Sequence, residues 1–339
     1  MGSKIPLPIN GQTSEPTAAR SKRTTIGVIT NPNARASARV DIEVSGTHHV
    51  LREEVTTTPS DVPAALDRLL AYGVEAIMVN GGDGTLSSVI AHLDRRRVNA
   101  STPLPKLIPV LGGTNNSVAK DVGAVGRIAA VKKRVIAKDG LQHLRTVKRA
   151  TIFVDKNGER VGCGFVFATG LIARFADAYY AGSLKGPAQA AKVVTTKLAT
   201  ALLPTRSNRA FWAFEPNAIQ VDDSALKLPK GASLSYCSTI DTQILFFRPF
   251  LARATELVEK RRFNVLVNAL PKTTVLRHFF KFVLGRFKGD GHALAVAKKL
   301  EISGTRRMML DGEMFDVAPD DVITLSPGPV VEFICLAKR

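Results

Sequence analysis

Apolar residues in this chain fall into short continuous runs separated by helical periodicities. Thr25-Ile26-Gly27-Val28-Ile29 runs into the polar Thr30-Asn31-Pro32-Asn33, the pattern of a buried strand ending in a turn. From Asp61 to Tyr72, Val62, Ala65, Leu66, Leu69 and Leu70 recur at helical spacing, and Ala76-Ile77-Met78-Val79 follows as a second buried strand. Glycines come next, then a helical stretch from Leu86 to Leu93, a strand at Leu107-Ile108-Pro109-Val110-Leu111, and the start of a helix from Asn116 to Val122. Strand, glycine-rich turn and helix thus occur twice, which predicts an α/β layered domain with a largely parallel sheet. Past about residue 145 the pattern changes to Thr151-Ile152-Phe153-Val154, Phe165-Val166-Phe167 and Ile244-Leu245-Phe246-Phe247. Those runs, with Val322-Ile323-Thr324-Leu325 and Val330 to Ile334 around Pro327-Gly328-Pro329, predict a second part rich in β-structure.

Composition narrows the class. The 339 residues suit two domains, and 45% hydrophobic with 22% charged residues is ordinary for a globular chain. The excess of 47 Lys and Arg over 29 Asp and Glu, a net +18, favours phosphates, anionic lipid or nucleic acid as partners without choosing among them. Cys163, Cys237 and Cys335 are far apart and form no metal-type cluster, so a reducing cytosol is expected. Residues 1–24 are polar, proline-containing and basic, and read as a disordered tail with no signal-peptide core.

The strongest chemical signal is Asn80-Gly81-Gly82-Asp83-Gly84-Thr85, directly after an apolar strand and before a helix. Glycines let the backbone approach a bulky anion, and a helix N-terminus suits phosphate oxygens. Asp83 is placed to serve magnesium and Thr85 to offer a hydroxyl. A second turn, Gly112-Gly113-Thr114-Asn115-Asn116, also follows a strand, and two such turns on neighbouring parallel strands would face one crevice. Neither is a P-loop or a G-x-G-x-x-G fingerprint. Asp311-Gly312-Glu313 taken alone is a surface turn three times in four; beside a phosphate site its carboxylates suit proton acceptance. His48-His49 reads as a solvated turn rather than a metal pair, and Arg95-Arg96-Arg97 as a helix C-terminus.

In combination and order, Asn31-Pro32, Gly81 to Thr85, Gly113-Thr114-Asn115, Thr169-Gly170 and Asp311-Gly312-Glu313 resemble the diacylglycerol kinase catalytic family, which includes sphingosine and ceramide kinases. The resemblance covers roughly residues 25–339. It implies an α/β ATP-binding domain (25–145), a β-sandwich lipid-substrate domain (146–319), and strands over 320–339 returning to the first domain. It also implies transfer of the ATP γ-phosphate to a lipid hydroxyl with magnesium. Position by position it assigns the phosphates to Gly81, Gly82, Gly84 and Thr85, with Asp83 catalytic and serving magnesium. Gly113, Thr114, Asn115, Asn31 and, by a loose alignment, Thr58 would line the nucleotide crevice, and Glu313 would be the general base. The chain departs from many bacterial members in Ser87-Ser88, where they have Asn-Glu, and in Asn115-Asn116, where they have Asn-Asp. These changes lean toward a ceramide or sphingoid substrate over diacylglycerol, or toward low activity.

A lipid kinase must reach a bilayer. Leu276, Phe279, Phe280, Val283, Leu284 and Phe287 would form one apolar face of a single helix, with Arg277, Lys281 and Lys288 beside it, and Val193, Val194, Leu198, Ala201 and Leu202 a weaker one. The expectation is a cytoplasmic protein, peripheral on the inner face of an anionic membrane, with no nucleic-acid partner. Rival readings are a soluble kinase similar to NAD kinases, which the absence of any Asn-Glu pair disfavours, and a non-catalytic anionic-lipid-binding protein on a degenerate kinase fold.

Overall fold

A computed structural model describes residues 24–34, 49–97, 99, 101–136, 141, 144–182, 187–228, 230–241, 250 and 252–336. The first part of the chain forms β1 (Thr24–Thr30), β2 (His49–Val55), α1 (Val62–Ala71), β3 (Ala76–Asn80), α2 (Asp83–Arg95), β4 (Lys106–Pro109), α3 (Ser117–Asp121) and α4 (Ile128–Ile136). The strands lie in the order β2-β1-β3-β4, all parallel. Their continuous apolar runs follow from burial on both faces. Ile29, Ile77 and Val79 face α1 and α2, whose Leu66, Leu69, Val89 and Ile90 cover them. Ile26, Val28, Met78 and Ile108 face the other way, toward Val131 and Val135 of α4. α2 begins three residues earlier than the apolar periodicity suggests, because its first turn is the polar Asp83-Gly84-Thr85.

The rest of the chain adds β5 (Arg145–Lys156), β6 (Glu159–Gly164), β7 (Val166–Gly170), α5 (Leu171–Tyr180), α6 (Pro187–Ala199), α7 (Arg206–Phe211), β8 (Ala218–Val221), β9 (Ser224–Ala225) and β10 (Leu234–Ser238). It continues with α8 (Ala254–Lys260), β11 (Phe263–Asn268), α9 (Lys272–Arg277), α10 (Phe279–Val283), β12 (His292–Ala297), β13 (Leu300–Ser303), β14 (Arg307–Leu310), β15 (Glu313–Asp316) and β16 (Val322–Cys335). The chain is therefore mixed α/β, with a separate antiparallel sheet in the order β12-β11-β10-β7-β14-β15. That sheet packs Phe167, Cys237, Phe263 and Val265 against Ile152, Val154, Ile302 and Leu325 of the larger sheet, forming a sandwich core. The expected strand at Ile244–Phe247, the tail over 1–23 and His48 lie outside the described residues. All three cysteines are buried and free.

The two sheet regions of the larger layer are joined by β16. It pairs with β5 from Ile323 to Cys335 and with β13 over Val322 to Leu325, and it lies parallel to β4 at Phe333 and Leu107. Pro327-Gly328-Pro329 does not end a strand; it forms a bulge inside this one, where two missing N–H groups would otherwise break the ladder. The Thr151 hydroxyl donates to the Pro329 carbonyl at 2.8 Å and satisfies the bulge.

One helical expectation is corrected. Leu276 to Phe287 is not a single amphipathic helix but α9 and α10, broken at His278. α10 then stops at Gly285, at φ 63°, where Gly285 N–H bonds the Phe282 carbonyl and Arg286 N–H that of Lys281. That pair of bonds is a Schellman cap. It turns Phe287 back to stack on Phe282 at 4.2 Å, over Leu270, so the aromatic rings bury locally instead of lining one face.

Leu66 is fully buried between β1, β3 and α2. Leu66→Ala is expected to lower unfolding stability by about 2–5 kcal/mol in a denaturant titration.

Candidate active site

β1, β3 and β4 end at the same edge of the parallel sheet, and each runs into one of the polar turns. Asn31 N–H bonds the Asn80 carbonyl at 3.0 Å, which pins the first turn to the second. The glycines of the two motifs serve close approach rather than backbone conformation: none of Gly81, Gly82, Gly84, Gly112 and Gly113 has positive φ. A methyl group on Gly112 would lie 2.8 Å from Gly81 N, and one on Gly113 would strike Gly82 Cα. The turns are thus stacked backbone on backbone. Asn116, at φ 51°, locks the second one: its side-chain carbonyl accepts the Gly113 N–H and its amide donates to the Gly113 carbonyl, both at 2.7 Å. An asparagine supplies here a donor that a carboxylate would lack.

Asp83 joins the two motifs. Its carboxylate accepts N–H bonds from Ser117 (2.9 Å) and Val118 (3.2 Å) at the start of α3. Burial raises its pKa, and those bonds partly offset the rise. The residue expected to serve magnesium is therefore also a structural cap. The first N–H groups of α2, at Asp83, Gly84 and Thr85, have no acceptor within the helix and open toward the cleft. The Thr85 hydroxyl accepts from Asn31 Nδ2 at 3.1 Å.

The opposite wall comes from the β-rich part. β14 and β15 are joined by the two-residue turn Asp311-Gly312, at φ 49° and 91°, a type I′ hairpin for which Asp-Gly is the favoured pair. The turn reading of this motif holds. The Asp311 carboxylate accepts N–H bonds from Phe165 (3.0 Å) and Val166 (2.8 Å) and a short bond from the Ser87 hydroxyl. Burial, with the nearby negative charge of Asp83, pushes its pKa up to about 7. Ser87, a departure from the related pattern, thus fastens α2 to the hairpin. Glu313 differs: its side chain is exposed, and among the described residues no hydrogen bond engages its carboxylate. The surrounding walls still withdraw enough water to raise its pKa. Gly84 makes room for it, since a methyl there would lie 3.0 Å from Glu313 Cδ.

The resulting cleft, about 520 Å³, brings together Asn31, Gly82, Asp83, Gly84, Thr85, Gly113, Thr114, Asn115 and Glu313. Gly81 lies beneath it, against the Thr85 side chain. Thr58 is not in the lining; its hydroxyl pairs with Ser60, one residue from the Thr57 carbonyl that accepts Asn33 Nδ2. Asn33, Tyr179, Tyr180 and Gly182 line the cleft and were not singled out from sequence. Tyr180 stands 52% exposed at the end of α5, its pKa raised by burial and by Tyr179, Asp83 and Glu313. Arg96 and Arg97 pair with Asp67 and Asp94 at the end of α2.

No group of three acidic, His or Cys side chains able to hold a metal occurs among the described residues. Asp83, the residue expected to serve it, fits magnesium of the kind that arrives on phosphates, since that ion keeps several waters and uses one or two carboxylates.

Residues 25–148 match the diacylglycerol kinase catalytic domain family, and the chain as a whole shares a fold with solved structures. A structure of a diacylglycerol kinase from Bacillus anthracis str. Sterne shares that fold, with TM-score 0.55 and 18% identity over 93% of this chain and 97% of that one. Two further structures from the same organism, where the name is provisional, match with TM-scores of 0.59 and 0.58, each at 18% identity over 93% of this chain and 98% of theirs. No curated protein matches the sequence.

Asn116→Asp keeps the acceptor for Gly113 N–H and loses the donor, so a stability loss of about 1 kcal/mol is expected on chemical denaturation. For Asp311, a folded-state pKa of about 7 against an ordinary 3.8 means that the folded form holds the proton more tightly. The stability this contributes is present at pH 4 and is lost as pH rises toward 7. The wild-type advantage over Asp311→Asn in denaturation midpoints is accordingly expected to be larger at pH 5 than at pH 8.

Proposed function

We infer that this protein is an ATP-dependent lipid kinase that transfers the γ-phosphate to a hydroxyl of a membrane lipid, either a diacylglycerol or a ceramide or sphingoid lipid. The observation that carries the reading is the exposed Glu313 carboxylate held opposite the N-terminus of α2 in one cleft. The N–H groups of Asp83, Gly84 and Thr85, with the Gly82 and Gly113 backbones alongside, suit the phosphates of ATP. Glu313 would take the proton from the lipid hydroxyl as its oxygen bonds the γ-phosphorus and the bond to the β-phosphate oxygen breaks. Its raised pKa makes it a stronger base than an ordinary carboxylate. Magnesium, when bound, neutralises charge on the phosphates, and Asp83 is the side chain that would hold it. Asp311, already committed to three donors, positions the hairpin that carries Glu313.

No helix among the described residues is long and apolar enough to cross a membrane. A peripheral enzyme on the cytoplasmic face of an anionic bilayer fits a substrate embedded there and a net charge of +18.

The test is incubation with γ-labelled ATP and magnesium against separate micelles of diacylglycerol, ceramide and a sphingoid base, with NAD alongside. Label in one lipid is the expected result; label in NAD alone moves the assignment to a soluble nucleotide kinase. Glu313→Gln is expected to lower kcat by at least about 100-fold with the affinity for ATP unchanged. Full activity in that variant removes Glu313 from the chemistry.

A further inference from the structure

Eight large hydrophobic side chains are exposed among the described residues, and Leu202, Leu203, Phe280 and Leu284 are four of them. They come from segments about 80 residues apart in sequence, yet Lys272 Nζ at the start of α9 donates to the Ala201 carbonyl at 3.0 Å and ties the two together. Both segments hold their apolar groups outward by fixed structure. The buried Asn208 amide donates to the carbonyls of Thr200 and Leu203, which sets the turn carrying Leu202 and Leu203. The Schellman cap at Gly285 likewise fixes the end of α10, leaving Phe280 78% exposed and Leu284 54%.

The charge around these groups has one sign. Residues 178–214 and 260–289 contain no Asp or Glu and thirteen Lys or Arg, most of the net +18 of the whole chain. Arg277, Lys281, Arg286 and Lys288 are all exposed beside Phe280 and Leu284. Apolar tips set among these cations match a surface that has anionic groups over hydrocarbon. A nucleic acid would use the cations but give leucines nothing to contact, and phenylalanine on a short helix is no stacking platform.

We propose that the Leu202–Leu203 turn and α10 form one docking platform for an anionic lipid bilayer. Its functional meaning rests on the lipid-kinase reading, because α6, a helix of 13 residues, runs from the Tyr180–Gly182 lip of the cleft to this platform. At 1.5 Å per residue that is a distance of roughly 20 Å. Docking here would hold the cleft's lip within reach of the headgroup layer. The occupant is a membrane surface rather than a single lipid, since the four apolar groups are each at least half exposed.

Binding without nucleotide separates this proposal from the kinase reading. The full chain is sedimented with vesicles of phosphatidylcholine alone and of phosphatidylcholine mixed with phosphatidylglycerol, ATP omitted, while turnover of a soluble short-chain lipid is measured separately. Selective binding to the mixed vesicles is expected, with a loss of at least about tenfold in L202D/F280D and about fivefold per cation removed in R277Q/K281Q. Turnover of the short-chain lipid should be unchanged in both. If the apolar variant fails to fold, the charge variant, altered only at exposed positions, carries the same test. Equal binding to neutral vesicles, binding unaffected by these substitutions, or binding of a DNA duplex in place of vesicles would each overturn the proposal.

Discussion

The carboxylate of Asp311 connects regions that sequence separates widely, and the site exists only where they meet. It gathers the Ser87 hydroxyl from α2 with the N–H groups of Phe165 and Val166 at the junction of β6 and β7, and it sits in the turn that delivers Glu313. Three donors around one carboxylate compensate its desolvation only in part, which is why its pKa stays high. That contact, together with the β14–β7 ladder, sets the hairpin against the phosphate-type turns.

A second constraint acts inside the parallel sheet. Because Gly112 and Gly113 rest on Gly81 and Gly82 with backbone atoms in contact, the strands β3 and β4 and both turns behave as one rigid lip. Asp83 and Asn116 then extend that rigidity to α3. Charge and hydrogen-bonding capacity near the cleft are thereby divided: Asp83, Asn116 and Asp311 are occupied in holding backbone, and Glu313 stays open.

Much of this was legible in the chain. The runs at Ile26–Ile29 and Ala76–Val79 are strands because both faces are buried, and their ends carry the turn residues that the cleft needs. Asp-Gly at 311–312 reads as a hairpin for a backbone reason, positive φ at both positions. What escaped the sequence was long-range. Nothing local distinguishes Tyr179 and Tyr180 from an ordinary apolar helix face, and Ser87 shows its purpose only beside a residue 224 positions away. The periodicity of Leu276–Phe287 is helical, yet Gly285 and the stacking of Phe282 on Phe287 override it, a case of local packing defeating pattern.

The place of β16 bears on how the protein is made. Its 14 residues fill the gap between β4 and β13 and complete the ladder on β5, so these earlier strands wait with open edges while the ribosome works through everything in between. At about 5–20 residues per second, the 200 or so residues from β4 to β16 take roughly 10–40 seconds to emerge. During that interval the edge of β4 that β16 covers in the finished fold lacks its partner strand.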